Sequence, residues 1–150
     1  MIKLQKIQQS DKKYFTRWWL RPDLLKLTSG NLNLISDNQV ERYFKAMLES
    51  KNDQHYVILL DNKVIGHIAL AKRRGGWFET QIVIGEKKNR GKGYGSAAIK
   101  FLIRKAKREK ISKIYLEVRP ENLHAINAYK KCGFKYVKTI RRPRNKFQPI

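Results

Sequence analysis

Arg90-Gly91-Lys92-Gly93-Tyr94-Gly95 is the segment of this 150-residue sequence whose residue types and spacing are best suited to chemistry. Glycines let successive backbone N–H groups turn toward one anion, and a helix starting directly afterwards adds the partial positive charge of its N-terminus. The expected ligand carries phosphate. A Walker loop is excluded: five residues rather than four separate Gly85 from Gly91, and Gly93 stands where the hydroxyl residue belongs. A dinucleotide-binding loop needs its third glycine where Ser96 stands and its first directly after a strand. Only Glu117, at the distance of a ribose-binding acid, speaks for it. Three dispersed histidines and one cysteine form no metal-site pattern, and His67 and His124 read as structural.

These residues need elements to hold them. Residues 2–7 read as a short strand, and Ser10-Asp11 caps a helix through Tyr14, Phe15, Trp18 and Trp19. One tryptophan is expected in the core and the other at the surface, with a wall of a substrate cleft as the alternative. Pro22 breaks the helix, and Leu24, Leu25 and Leu27 continue an apolar patch to Gly30-Asn31. Ser36-Asp37 caps a second helix carrying Val40, Tyr43, Phe44, Met47 and Leu48. Residues 56–60 and 64–71 form a hairpin around Asp61-Asn62-Lys63, and Gly75-Gly76 leads into a strand over 77–84. After the glycine loop, Ala98, Ile99, Leu102, Ile103 and Ala106 make the apolar stripe of a third helix, opposite Lys100, Arg104, Lys107 and Arg108. Residues 113–118 are a strand. Pro120-Glu121-Asn122 opens a fourth helix through Tyr129, Gly133 stops it, and 134–140 is a last strand. The order is β-α-α-β-β-β-loop-α-β-α-β, a single α/β layer with a mixed sheet, in one domain over residues 1–150.

Arg90-x-x-Gly-x-Gly with a helix behind it resembles the acyl-CoA loop of the GNAT superfamily of N-acetyltransferases. The later run, Leu116-Glu117-Val118-Arg119-Pro120-Glu121-Asn122 and then Ala125-Ile126-Asn127-Ala128-Tyr129-Lys130-Lys131-Cys132-Gly133-Phe134, resembles the second signature of that superfamily. The resemblance is strong over residues 55–138 and lies in element order alone before that. It implies a GNAT fold: a mixed central sheet flanked by about four helices. It also implies an enzyme that moves an acetyl group from acetyl-CoA to a primary amine, of a protein N-terminus or of a small molecule. Residues 82–84 (Ile82, Val83 and Ile84) would pair their backbone, Ile82 and Ile84 especially, with the pantetheine amides. Arg90, Gly91, Lys92, Gly93, Tyr94, Gly95 and Ser96 would hold the pyrophosphate, and Asn122 the pantetheine or phosphates, or else simply cap its helix. Tyr129 would protonate the leaving thiolate, or else pack. Glu117 or Glu79, or a water, would be the base; the spacing from Glu117 to Tyr129 resembles ribosomal-protein alanine N-acetyltransferases. Many family members end in one further strand. Here the chain stops at Phe147-Gln148-Pro149-Ile150, so that strand is expected to be short, absent or supplied by a partner in a homodimer.

Composition sets the remaining bounds. Lys and Arg total 34 against 12 acids, a net charge of +22 spread diffusely, although no acid follows Glu121. Such a field attracts polyanions and opposes a cationic acceptor unless Glu79, Glu117 and Asp37 form a local acidic cluster. A non-catalytic basic module holding RNA or a ribosomal surface is the alternative function. The lone Cys132 excludes an internal disulfide and fits a reducing, cytoplasmic setting. No apolar run approaches the ~20 residues of a membrane span, and no metal is expected.

Overall fold

The computed structural model describes residues 1–20 and 36–140. The expectations on Pro22, on the leucines at 24, 25 and 27, on Gly30-Asn31 and on the tail beyond residue 140 lie outside them. The strands are β1 (Ile2–Lys6), β2 (Gln54–Leu60), β3 (Lys63–Lys72), β4 (Trp77–Ile84) and β5 (Lys113–Tyr115). The helices are α1 (Lys12–Trp19), α2 (Asp37–Glu49), α3 (Tyr94–Arg108) and α4 (Leu123–Lys131). The sheet order is β1-β2-β3-β4-β5; the first four are antiparallel neighbours and β5 runs parallel to β4. The sheet is mixed, as expected.

Local chemistry accounts for the boundaries. The Ser36 hydroxyl accepts from Gln39 N–H at 3.2 Å while Ser36 N–H donates to Gln39 Oε1 at 2.8 Å, a reciprocal cap on α2. At the other helix Asp11 is the N-cap, as expected, but its carboxylate turns back: Gln8 N–H donates to Asp11 Oδ2 at 3.0 Å, and a 3-10 turn over Gln9–Asp11 precedes α1. The β2–β3 turn puts Asp61 at φ 49° and Asn62 at φ 70°, the two left-handed residues that match the twist of a two-residue hairpin.

The expected single α/β layer is in fact three layers. On one face, Phe15, Trp18 and Trp19 of α1 and Val40 and Phe44 of α2 pack on Val57. On the other, Ala98, Ile99, Leu102 and Ala106 of α3 pack on Ile58, Ile68 and Leu70, with Tyr129 of α4 against them. Both tryptophans are buried, at 2% and 6% exposure, so neither packs at the surface or walls a cleft. Phe15 centres their cluster, with edge-on contacts to both rings at 5.3 and 5.4 Å.

Two expected strands change. The strand expected over 113–118 ends at Tyr115, opposite Glu79, because β4 and β5 part there and no ladder continues. Residues 134–140 form no strand. Tyr136 and Val137 are 73% and 83% exposed, no strand pairs with this segment among the described residues, and β-propensity without a buried face does not hold a strand.

Candidate active site

The glycine loop is anchored before it turns. Gly85 lies under Trp18: a Cβ there would fall 2.0 Å from the indole ring, so α1 admits no side chain. Trp18 Nε1 donates to Glu86 Oε1 at 3.5 Å, and Arg17 pairs with the same carboxylate. A 3-10 turn over Lys87–Asn89 follows. The Arg90 guanidinium then folds back, donating from Nε to the Ile84 carbonyl at 3.0 Å and from Nη2 to the Gly85 carbonyl at 3.4 Å. That side chain ties the loop to the end of β4, where the sequence led us to expect a phosphate contact. Lys92 stays exposed on the loop.

Gly91 and Gly93 have φ of 74° and 83°, and Gly93 caps α3. A Cβ on either would meet nothing within 4 Å, so backbone conformation demands glycine here and the space above the loop is open. Ala97 N–H, bonded to the Gly93 carbonyl at 3.1 Å, begins the ladder of α3. The amides of Tyr94, Gly95 and Ser96 precede it and point out of the helix end, where they suit an anion.

The edge leading from this loop follows from register. Gly85 N–H donates to the Ile65 carbonyl and Arg73 N–H to the Trp77 carbonyl, each at 2.8 Å. Bonded and non-bonded residues alternate along an antiparallel pair. The β4 residues bonded to β3 are therefore 77, 79, 81 and 83, and the backbone groups of Phe78, Thr80, Ile82 and Ile84 face β5. Since β5 stops opposite Glu79, the groups of Thr80, Ile82 and Ile84 line the parting of the two strands. Val83 belongs to the other set and faces His67 of β3, so it contributes no edge group to the expected cofactor strand. The Ile84 carbonyl is taken by Arg90, which leaves Ile82 and Thr80 as the inner edge.

Helix α4 brings the second signature to this parting. Asn122 Oδ1 accepts from Ala125 N–H at 3.3 Å and caps the helix. At its far end Gly133 N–H donates to the Lys130 carbonyl at 3.0 Å and Phe134 N–H to the Tyr129 carbonyl at 3.1 Å, with the Tyr129 and Phe134 rings 6.4 Å apart. This C-terminal motif, hydrophobic contact included, fixes the Tyr129 ring. Cys132 Sγ donates to the Ser96 carbonyl at 3.7 Å and ties α4 to the first turn of α3. Burial, with a smaller effect from Cys132, pushes the Tyr129 hydroxyl up to about 12.

The acidic candidates differ. Glu79 Oε1 accepts from Arg73 Nε at 3.1 Å and Nη2 at 2.8 Å. Glu117 lies beyond the end of β5 and is exposed. Both charges act on Tyr115, whose hydroxyl is pushed up chiefly by burial and then by Glu79. Asp37, the third acid expected in this cluster, instead opens α2 on the helix pair packed over the other core. His67 is fully buried, its Nε2 3.1 Å from His55 Nδ1 and its ring edge-on to Phe15, and serves the core. Two residues escaped sequence reasoning. Arg73 was legible as a charge diagonal to Glu79 across the Gly75-Gly76 turn. Thr80 was legible as a hydroxyl in an apolar strand. Among the described residues no group of three potential metal ligands occurs, and no helix is long and apolar enough to cross a membrane.

Comparison with known proteins points one way. The family model for the acetyltransferase (GNAT) family matches residues 7–134. An aminoglycoside N(6')-acetyltransferase type 1 from Klebsiella pneumoniae is 24% identical over 157 residues, covering 95% of this chain and 78% of that protein. A domain from Methanocaldococcus jannaschii superposes with a TM-score of 0.82 at 19% identity, covering 94% of this chain and 92% of the other. A spermidine N-acetyltransferase from Vibrio cholerae, in complex with CoA and spermine, superposes at 0.77 with 20% identity over 88% and 79% of the two chains.

Proposed function

The chain belongs to the acetyltransferase (GNAT) family, and from that premise we propose that it transfers an acetyl group from acetyl-CoA to a primary amine. The observation that carries this is the parting of β4 from β5, whose inner edge runs from Thr80 through Ile82 to an open loop at the N-terminus of α3. Bound acetyl-CoA supplies the acyl group as a thioester. The amides of Tyr94, Gly95 and Ser96, with the Gly91 and Gly93 turns and Lys92, hold its phosphates. Ile82 and Thr80 offer the backbone groups that pair with an extended amide arm, and the Asn122 side chain lies at the start of the helix above. The amine nitrogen bonds to the acyl carbon as the carbon–sulfur bond breaks; CoA leaves as a thiolate that takes its proton from solvent, and the amine gives up one proton. Glu117 or Glu79, directly or through water, takes that proton. Tyr129 donates a hydrogen bond to the sulfur as it leaves. With its hydroxyl near 12 and an ordinary thiol near 8.5, donation rather than complete transfer is the favourable role.

The named relatives act on an aminoglycoside or on spermidine, and small amines of that kind are the acceptors we expect. The test is thiol release from acetyl-CoA over a panel containing spermidine, an aminoglycoside and an alanine-ended peptide. Turnover with none of them, in a protein that binds acetyl-CoA, would contradict the acceptor assignment. We read residues 1–150 as one such domain, place it in the cytoplasm on its lone thiol, and infer self-association through the exposed Tyr136, Val137 and Ile140, testable by sedimentation.

One observation favours the second reading, a basic module for RNA or a ribosomal surface. The spread charge is weighted toward the second part of the chain: residues 87–150 hold 20 Lys and Arg against 3 acids, and residues 1–86 hold 14 against 9. Lys100, Arg104, Lys107 and Arg108 are exposed on α3. RNA binding that persists at physiological salt and falls steeply as salt rises would support it.

A further inference from the structure

Thr80 is 3% exposed, and its hydroxyl has no hydrogen-bond partner among the described residues. A buried hydroxyl without a partner destabilises a fold, and an apolar residue of the same shape avoids that loss. The residues that share its face of β4, Phe78, Ile82 and Ile84, are apolar and pack into the α3 core, so valine would satisfy the strand pattern better. The hydroxyl therefore serves something other than the ligand-free fold.

Its position says what. Thr80 is the first β4 residue after the last β4–β5 pair, Glu79 opposite Tyr115, and so stands at the inner end of the parting. Ile84, at the loop end, is four residues away, about 13 Å along a strand. Acyl-CoA carries phosphates at one end and its thioester at the other. With the phosphates at the glycine loop, the thioester lies toward Thr80. The Thr80 oxygen is two bonds from Cα, so a group meeting this residue's edge backbone is within its reach.

We propose that the Thr80 hydroxyl donates a hydrogen bond to the acyl carbonyl oxygen of bound acyl-CoA. This rests on the acyl-CoA reading given above. The contact fixes and polarises the carbonyl, and it distinguishes acyl-CoA from free CoA, which has no oxygen there. The protein then holds its substrate more tightly than the product it must release.

Calorimetric titration of acetyl-CoA and of CoA into the wild-type protein, Thr80→Val and Thr80→Ser tests this, together with the melting temperature of each ligand-free protein. Thr80→Val is expected to weaken acetyl-CoA binding about three- to tenfold, leave CoA binding unchanged, and leave the ligand-free melting temperature equal or higher. Thr80→Ser should restore most of the preference for acetyl-CoA. An unchanged ratio of the two affinities, an equal loss for both ligands, or a lower melting temperature for ligand-free Thr80→Val would overturn the proposal. A wild-type protein that binds neither ligand would overturn the acyl-CoA reading itself, and the role of Thr80 with it.

Discussion

Tyr129 combines a ring locked by the end of its helix with a hydroxyl whose proton burial retains. Tyr129→Phe keeps the ring and its contact with Phe134. Turnover should fall roughly 10²-fold with acetyl-CoA affinity little changed, as read from kcat and from direct binding. Full activity in this variant would leave positioning alone as the source of catalysis. Because the folded hydroxyl sits at about 12, above its ordinary 10.0, no limb of the pH–rate profile below pH 10 should belong to it. The raised value also adds stability that is present below pH 10.0 and disappears as the pH climbs through about 12. The two carboxylates separate by the same logic. Glu79 is committed to Arg73, so Glu79→Gln should lower the melting temperature and weaken acceptor binding. Glu117→Gln should lower kcat if Glu117 is the base. A variant that raises only the acceptor KM would assign Glu117 to positioning.

At the scale of elements, the loop and the two helix ends carry the site. Gly93 is held at φ 83°, a conformation that costs an L-residue about 1–2 kcal/mol and a β-branched one more. Gly93→Val should therefore fold with a reduced melting temperature and lose acetyl-CoA binding, measured by calorimetry on protein shown to be folded by circular dichroism. A folded variant with unchanged affinity would refute the loop as the phosphate site. Arg90 acts at this scale too. Its guanidinium bridges the Ile84 and Gly85 carbonyls, so it shapes the path between strand and loop.

The whole molecule depends on a second core, between the sheet and α1–α2, in which His55 and His67 stack with ring centroids 5.3 Å apart. Burial lowers His55 below its ordinary 6.5, against a smaller opposing effect from Asp53. The neutral ring is the folded form, so this stability is complete above pH 6.5 and is lost as the pH falls from there through the lowered folded value. The urea midpoint should decline as the pH falls below about 6.5, and His55→Gln should flatten that decline. An unsloped wild-type profile below pH 6.5 would show that the pair is not linked to folding.

Residue types and local spacing were enough for the glycine turn, the Ser36 cap, the Asp61-Asn62 hairpin and the Asn122-to-Phe134 helix unit. Each is satisfied by bonds within a few residues, so a short stretch of sequence holds all the information. Trp18 and Trp19, Val83, Glu79 and the stretch after Tyr115 depend on partners far along the chain. Trp18 is core because Gly85 lies beneath it. Val83 is turned from the edge by the β3–β4 register, which the Gly85–Ile65 and Arg73–Trp77 bonds fix. Residues 116–118 have strand composition but lose their ladder where β4 and β5 separate, and 134–140 have it without a strand partner among the described residues. Alternation in a sequence states which residues share a face; only the packed sheet decides which strand edge is met by a neighbour and which is left to receive a substrate.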